Sequence, residues 1–143
     1  MKTGKDKTAL KMPSYNSSIL PESMLEAAMR DEMNLMVVFR SDKLGCGNDE
    51  LGGRLLQPYF KALLELPLPP RCILFYNTAV RLLTADSPVI DACRQLQKKG
   101  CELLACNISL QHLGLVSNLQ AGEISTIELM LERQLKADRI LWP

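Results

Sequence analysis

The chain has 143 residues, of which 47% are hydrophobic and 23% are charged, and its formal net charge is +1. This length and composition predict one soluble globular domain, and the near-neutral charge without a basic stripe argues against nucleic-acid binding. No apolar run reaches the roughly 20 residues of a membrane span, and the lysine-rich N-terminus lacks the apolar core of a signal peptide, so we expect a cytoplasmic protein.

The chain contains five cysteines and a single histidine, His112, without a C-x-x-C motif or any spacing typical of a zinc site. The sequence therefore predicts no metal and no cofactor. In a reducing cytoplasm the cysteines are expected to be thiols. They stand at positions 46, 72, 93, 101 and 106.

Two parts of the chain are predicted. Residues 1–33 are predicted to be a lysine-rich, polar N-terminal tail that ends in a short amphipathic helix over residues 22–33. Residues 34–143 form the folded domain. This domain begins with the unbroken apolar run Leu35–Phe39, which is typical of a strand covered on both faces.

Strand and helix patterns then alternate to the end of the chain. A helix is predicted over residues 49–66, with a bend near Pro58 because an interior proline removes a hydrogen bond. The remaining elements are, in chain order, a strand over 72–76, a helical turn near 80–83, a helix capped by Ser87 and ended by Gly100, a strand over 101–105, a short helix over 109–113 before Gly114, a helix opened by the capping box Ser125/Glu128, and a strand over 139–142. This alternation predicts an α/β fold, a three-layer α/β/α domain with a mainly parallel sheet of about five strands.

Cys106 is the first candidate for chemistry. It follows the predicted strand over residues 101–105 and precedes a short predicted helix, for which Ser109 is a candidate N-cap. Ligands of open α/β sheets collect at the carboxyl ends of strands, and a helix N-terminus there favours the thiolate. Cys106 is equally well interpreted as a buried structural cysteine. His112, one turn further on, could act on the thiol, but with no partner in the sequence we favour a structural histidine at the surface or half-buried.

The glycine-containing loop over residues 45–53 does not match a phosphate-binding motif. Its glycines lack the G-x-G-x-x-G spacing, and no Lys-Ser/Thr pair follows them. Cys46 lies between Gly45 and Gly47, so we expect its thiol to be accessible to solvent. It is a second candidate cysteine.

Residues 34–143 resemble the DsrE-like sulfur-relay domains, and among them the C-terminal domain of YedF-type proteins, which are sulfurtransferase-like and linked to selenium metabolism. The stretches that carry the resemblance include Ser-Asp-Lys-Leu-Gly at 41–45, Ile-Leu-Phe-Tyr-Asn at 73–77, Lys-Gly-Cys-Glu-Leu-Leu-Ala-Cys at 99–106 and Gly-Glu-Ile-Ser at 122–125. The resemblance implies an α/β/α domain that assembles as a homo-oligomer, a trimer or hexamer. It also implies a persulfide passed from a cysteine to a sulfur-relay protein partner.

The resembling YedF-type loop reads C-G-T-C, whereas this chain has Cys106, Asn107, Ile108 and Ser109. A serine hydroxyl cannot hold a persulfide, so only Cys106 could accept sulfur, and Ser109 marks the position of the family cysteine. The binding residues proposed around them are Asn77, Asn107, Cys46 and Asp42. Two alternatives stay open, namely a non-catalytic oligomeric assembly subunit that has lost the relay cysteine and a small-ligand-binding module. As an enzyme, the protein would be sulfurtransferase-like at most.

Overall fold

The structure is a computed structural model that describes residues 33–143. The tail and short helix predicted for residues 1–33 therefore lie outside the described residues, apart from Met33. Within residues 33–143 five strands form one parallel sheet in the order β4-β3-β2-β1-β5. The strands are β1 (Leu35–Phe39), β2 (Cys72–Phe75), β3 (Glu102–Cys106), β4 (Glu123–Ser125) and β5 (Arg139–Leu141).

Five α-helices connect these strands in the described part of the chain. They are α1 (Asp49–Arg54), α2 (Leu56–Leu64), α3 (Ile90–Lys98), α4 (Asn107–Leu113) and α5 (Ile127–Lys136). Two 3₁₀ segments, Asn77–Leu83 and Val116–Asn118, complete the connections. The predicted α/β class and the parallel sheet of five strands are confirmed.

The sheet is buried on both faces, as the continuous apolar run of β1 indicates. Side chains of β1 alternate between the faces: Val37 and Phe39 join one apolar core, while Met36 and Val38 join the other. In the first core Phe39 stacks on Phe60 of α2 with ring centroids 5.0 Å apart. The second core contains Met130 of α5. Helix α5 connects β4 and β5, the two edge strands of the sheet.

The bend in the long predicted helix lies at Leu55 and not near Pro58. Leu55 separates α1 from α2, and Pro58 is the third residue of α2. The N–H groups in the first turn of a helix have no partner within the helix. Proline therefore destabilises this turn little and does not bend the helix there. The prediction placed the proline in the helix interior, and this was wrong.

Two predicted helix starts are also wrong. Ser87 does not begin a helix directly: its Oγ accepts a hydrogen bond from the Val89 N–H at 3.1 Å, and α3 starts only at Ile90. At the start of α5, Thr126 replaces Ser125 as the N-cap, and its Oγ1 accepts from the Leu129 N–H at 3.2 Å. Ser125 is instead the last residue of β4, a short strand that the sequence did not indicate, and its hydroxyl donates to the carbonyl oxygen of Thr126 at 3.3 Å.

Candidate functional site

Cys106 is the last residue of β3, at the carboxyl edge of the sheet. The strand extends one residue further than predicted, and Cys106 pairs in register with Ser125 of β4. It is also the N-cap of α4, with extended backbone angles of φ −62° and ψ 121°, so the helix begins at Asn107 without an intervening loop. The predicted placement between a strand and a helix is correct.

Cys106 is only 3% exposed, as the interpretation of a buried structural cysteine expects. It packs in the second apolar core with Leu104 and Met130. Cys106 nevertheless lines an open cleft of about 460 Å³ at the carboxyl edge of the sheet. The residues that line this cleft are Tyr76, Asn77, Cys106, Ile108, Ser109, His112, Leu113 and Ile127.

Tyr76 contributes the largest polar side chain of the cleft. Its hydroxyl donates a hydrogen bond to Oε1 of Gln134 on α5 at 3.2 Å. Burial raises the pKa of Tyr76, and the nearby Cys106 sulfur adds to this rise because two anions so close together would repel each other. The phenol is therefore a neutral hydrogen-bonding group beside the thiol near neutral pH.

Ser109 is not the N-cap of the short helix, because α4 begins two residues before it. Its Oγ instead accepts a hydrogen bond from the backbone N–H of Asn77 at 2.8 Å. Asn77 has a left-handed backbone with φ +57°, the one non-glycine residue with positive φ within residues 33–143. The contact joins the start of the 3₁₀ segment after β2 to α4, across 32 positions of sequence.

Asn107 and Asn77 have different roles in the structure. Asn77 lines the cleft, whereas Asn107 is not among the lining residues. Asn107 is the first residue of α4, and its Oδ1 accepts a hydrogen bond from the Ile108 N–H at 2.8 Å. The side chain thus satisfies a donor of its own helix.

Asp42 and Cys46 are not brought into the Cys106 cleft. Asp42 lines a separate cleft of about 340 Å³, where its carboxylate lies 3.3 Å from Nζ of Lys43 and 3.8 Å from Nη1 of Arg81. Its backbone N–H donates to Oγ1 of Thr78 at 3.1 Å, which joins the loop after β1 to the residue that follows Asn77. Cys46 is exposed, as expected, and lines neither cleft.

The other three cysteines are buried, as the sequence indicated. Burial raises the pKa of Cys72 and of Cys93 to about 12, and for Cys72 the neighbouring Glu102 carboxylate contributes further. Burial also raises the pKa of Cys101. These thiols are therefore neutral near pH 7. None of the five cysteines forms a disulfide.

Several lining residues of the Cys106 cleft were missed in the sequence. Ile127 comes from α5, far from Cys106 along the chain, and no local pattern indicates that the two meet. Tyr76 and Leu113 resemble ordinary ends of apolar segments. His112, which we interpreted as structural, faces the same cleft as Cys106 and is one helical turn from Ser109.

No group of three or more His, Cys, Asp or Glu side chains within residues 33–143 is arranged to hold a metal ion. None of the helices in this same range combines the length and the apolar character needed to cross a bilayer.

The fold and the cleft define a parallel α/β domain with a cysteine at the carboxyl end of a central strand. The DsrE/DsrF-like family matches residues 70–143, slightly more than half of the chain, and the protein belongs to this family. The crystal structure of the YchN protein from E. coli is similar, with a TM-score of 0.54 and 15% sequence identity over 78% of this chain and 100% of that one. No curated protein matches the sequence. The family is generally related to sulfur relay, and the structural similarity supports the fold.

Proposed function

We propose that the protein acts in cytoplasmic sulfur relay, accepting sulfur as a persulfide on Cys106 and passing it to a protein partner. The observation that carries this proposal is the position of Cys106, a thiol at the carboxyl end of β3 that lines an open cleft of about 460 Å³. The carboxyl edge of a parallel sheet is where α/β proteins hold ligands. Cys106 is also the one cysteine in that cleft.

The proposed reaction is sulfur exchange without net oxidation. The Cys106 thiol gives up its proton, and the thiolate attacks the outer sulfur of a donor persulfide R–S–SH. A new S–S bond forms on Cys106, the donor S–S bond breaks, and the donor leaves as a thiol after taking up a proton. In the second step the partner's thiolate attacks the outer sulfur on Cys106, whose thiol is regenerated.

The chemistry of the cleft is compatible with a protein as donor or acceptor. Ile108 and Ile127 border the cleft and are 59% and 39% exposed, so its margin is apolar. Exposed apolar side chains around a cleft favour contact with another protein surface. Because Cys106 is recessed, the partner's cysteine must reach it on a projecting segment. The resemblance to YedF-type proteins makes selenium the alternative cargo for the same thiol.

The proposal is tested by exposing the Cys46→Ser protein to a low-molecular-weight persulfide and mapping the modified cysteines by mass spectrometry. Removing Cys46 eliminates the exposed thiol that would otherwise react outside the cleft. We expect Cys106 to gain one sulfur atom and to lose it to an added thiol acceptor. The matched control is the Cys46→Ser/Cys106→Ala protein. An unmodified Cys106, or an unchanged yield of bound sulfur in the control, would contradict the proposal.

A second candidate function is a non-catalytic assembly subunit, and a specific observation favours it. Helix α5 exposes Ile127, Leu131 and Leu135, which are 39%, 52% and 78% exposed and follow each other at intervals of four residues. Such a spacing places them on one side of the helix, as in helix–helix interfaces. In this alternative the chain forms a homo-oligomer, a trimer or hexamer, and Cys106 is only a core residue. A monomeric protein in sedimentation analysis would contradict it.

A further inference from the structure

We propose that Ser109 is a positioning residue, whose hydroxyl holds the backbone of Asn77 in the left-handed conformation and thereby fixes the wall of the cleft beside Cys106. The predicted effect of Ser109 on sulfur loading at Cys106 rests on the function proposed above. Its predicted effect on the backbone of Asn77 does not, because that effect concerns only the local conformation.

The first step of the argument is the backbone of Asn77. A φ of +57° is uncommon for a residue with a side chain, although asparagine tolerates it better than most. Such conformations persist when the surroundings hold them in place, and they cluster at functional sites. Asn77 lies at the carboxyl end of β2 and lines the cleft with Cys106.

The second step is the set of contacts that holds this residue. The Asn77 N–H donates to Oγ of Ser109 at 2.8 Å, and Oδ1 of Asn77 accepts from the Thr78 N–H at 2.8 Å. Of these two bonds, only the one between Asn77 and Ser109 connects Asn77 to another element, α4. The Asn77–Thr78 bond is local and would move with the loop. Thr78 is joined to the loop after β1 through the Asp42 N–H, so the Ser109 bond is the hydrogen bond that ties Asn77 itself to α4, the helix that Cys106 caps.

The third step is the chemistry that position 109 requires. A hydroxyl oxygen is a good acceptor for a backbone N–H, whereas a thiol sulfur is a weak one and a methyl group is none. Threonine retains the hydroxyl and should retain the contact. Serine at this position is then explained by the hydrogen bond it accepts, independently of any loss of a thiol.

The fourth step is a variant that separates this role from a general effect on folding. Glycine adopts positive φ without steric cost. In an Asn77→Gly protein the loop no longer needs Ser109 to keep its conformation. Both members of the pair Asn77→Gly and Asn77→Gly/Ser109→Ala lack the Oδ1 contact with Thr78, so this loss cancels when they are compared.

The experiment uses the Cys46→Ser protein as parent and compares Ser109→Ala, Ser109→Thr, Asn77→Gly and the double variant. The first readout is hydrogen exchange of the residue 77 amide by NMR. We expect exchange at least about tenfold faster in Ser109→Ala and near-parental exchange in Ser109→Thr, since only the alanine removes the acceptor. Equal protection in the parent and in Ser109→Ala would overturn the proposal.

The second readout is the rate of persulfide loading on Cys106. We expect a rate at least about fivefold lower in Ser109→Ala, because a small displacement of a site wall misplaces the reactants, with recovery in Ser109→Thr. On the Asn77→Gly background the same substitution should change the rate less than twofold. An equal effect of Ser109→Ala on both backgrounds would overturn the proposal.

The two proposals fail in different ways. If the parent protein takes no sulfur on Cys106, the proposed function is wrong. The amide exchange and the melting temperatures of the same five proteins then still decide the role of Ser109. We expect Ser109→Ala to lower the melting temperature by about 3 °C on the parent background and by less on the glycine background.

Discussion

Glu102 on β3 and Arg133 on α5 form a two-point ion pair in which Nε donates to Oε1 at 2.8 Å and Nη2 donates to Oε2 at 3.2 Å. The side chains are 36% and 31% exposed. The hydrogen bond from Arg133 holds the pKa of Glu102 below its usual range. The pair fastens the last turn of α5 to the sheet, and the start of the same helix carries Ile127 to the Cys106 cleft.

Replacing Arg133 by Met should lower the free energy of unfolding by about 1 kcal/mol at pH 7, a value limited by solvent screening. Because the folded pKa of Glu102 is depressed, the pair stabilises the fold above the unfolded pKa of a glutamate, about 4.3, and this contribution is lost as the pH falls through the folded pKa. Urea denaturation at pH 7 and at pH 3 measures the free energy of unfolding of both proteins. The difference in this free energy between wild type and variant should be smaller at pH 3 than at pH 7, and a larger difference at pH 3 would contradict the assignment. Lys136→Met, which breaks an exposed pair with Glu132, is the matched control and should have the smaller effect.

The cysteines should differ widely in their reaction with iodoacetamide. With the pKa of Cys72 and Cys93 raised to about 12, only on the order of one such side chain in ten thousand is a thiolate at pH 8. Exposed Cys46 should therefore be alkylated at least about 100-fold faster than these two in the native protein. Peptide mapping at timed intervals measures the rates, and a denatured sample in which all cysteines react is the control. Early labelling of Cys93 in the native protein would disagree with its burial.

Gly122→Ala should destabilise the fold by about 2 kcal/mol. Gly122 has φ +79°, and an added Cβ would lie 3.0 Å from the carbonyl oxygen of Leu103 and 3.2 Å from Cδ1 of Leu83. Gly114→Ala is the matched control, because Gly114 has a similar φ of +68° with open space around the added Cβ. Its cost should be about 1 kcal/mol, from the backbone alone. Denaturant midpoints measure both, and equal losses would show that the close approach to β3 is unimportant.

Leu131→Glu tests the homo-oligomer proposed as the second candidate function, in which the exposed apolar side of α5 forms the interface. Leu131 is 52% exposed and lies between Ile127 and Leu135, so a charge there should disrupt an interface while leaving the monomer folded. Sedimentation velocity should show a shift to a smaller species, with at least about a tenfold weaker association. Leu51→Glu, at an equally exposed position on α1 (53%), is the control and should leave the assembly unchanged. If Leu51→Glu dissociates the assembly and Leu131→Glu does not, the interface lies elsewhere.

The central strands could be predicted because each is a continuous apolar segment. The range Leu35–Phe39 was predicted to the residue, since a strand buried on both faces has no polar interruption. In contrast, β4 has only three residues, with Glu123 and Ile124 exposed at the edge of the sheet. Its sequence Glu-Ile-Ser contains no apolar run, unlike the equally short β5, which was predicted from its apolar residues. The incorrect N-cap has a separate cause, because Ser125 and Thr126 are adjacent hydroxyl residues and the sequence does not show which of them accepts the hydrogen bond from the first turn of α5.

The position of Cys106 could be predicted from the strand and helix around it, whereas the sequence left its burial open and did not indicate its neighbours. Cys106 is buried in an apolar core that also contains Met130 of α5, which comes from another part of the chain. The partner of Ser109 was missed for a similar reason. A serine near a helix start is usually interpreted as a cap, and nothing local indicates that an amide 32 residues earlier occupies its oxygen.

The contact between Ser109 and Asn77 also constrains how this loop can evolve. A serine-to-cysteine change at position 109 would create a nucleophile and, in the same step, replace the hydroxyl acceptor that the Asn77 amide uses by a weak one. We expect glycine at position 77 to relieve this conflict, since it needs no such support. A lineage that gains a sulfur at 109 would then acquire the glycine first, so the order of the two substitutions would be set by one hydrogen bond.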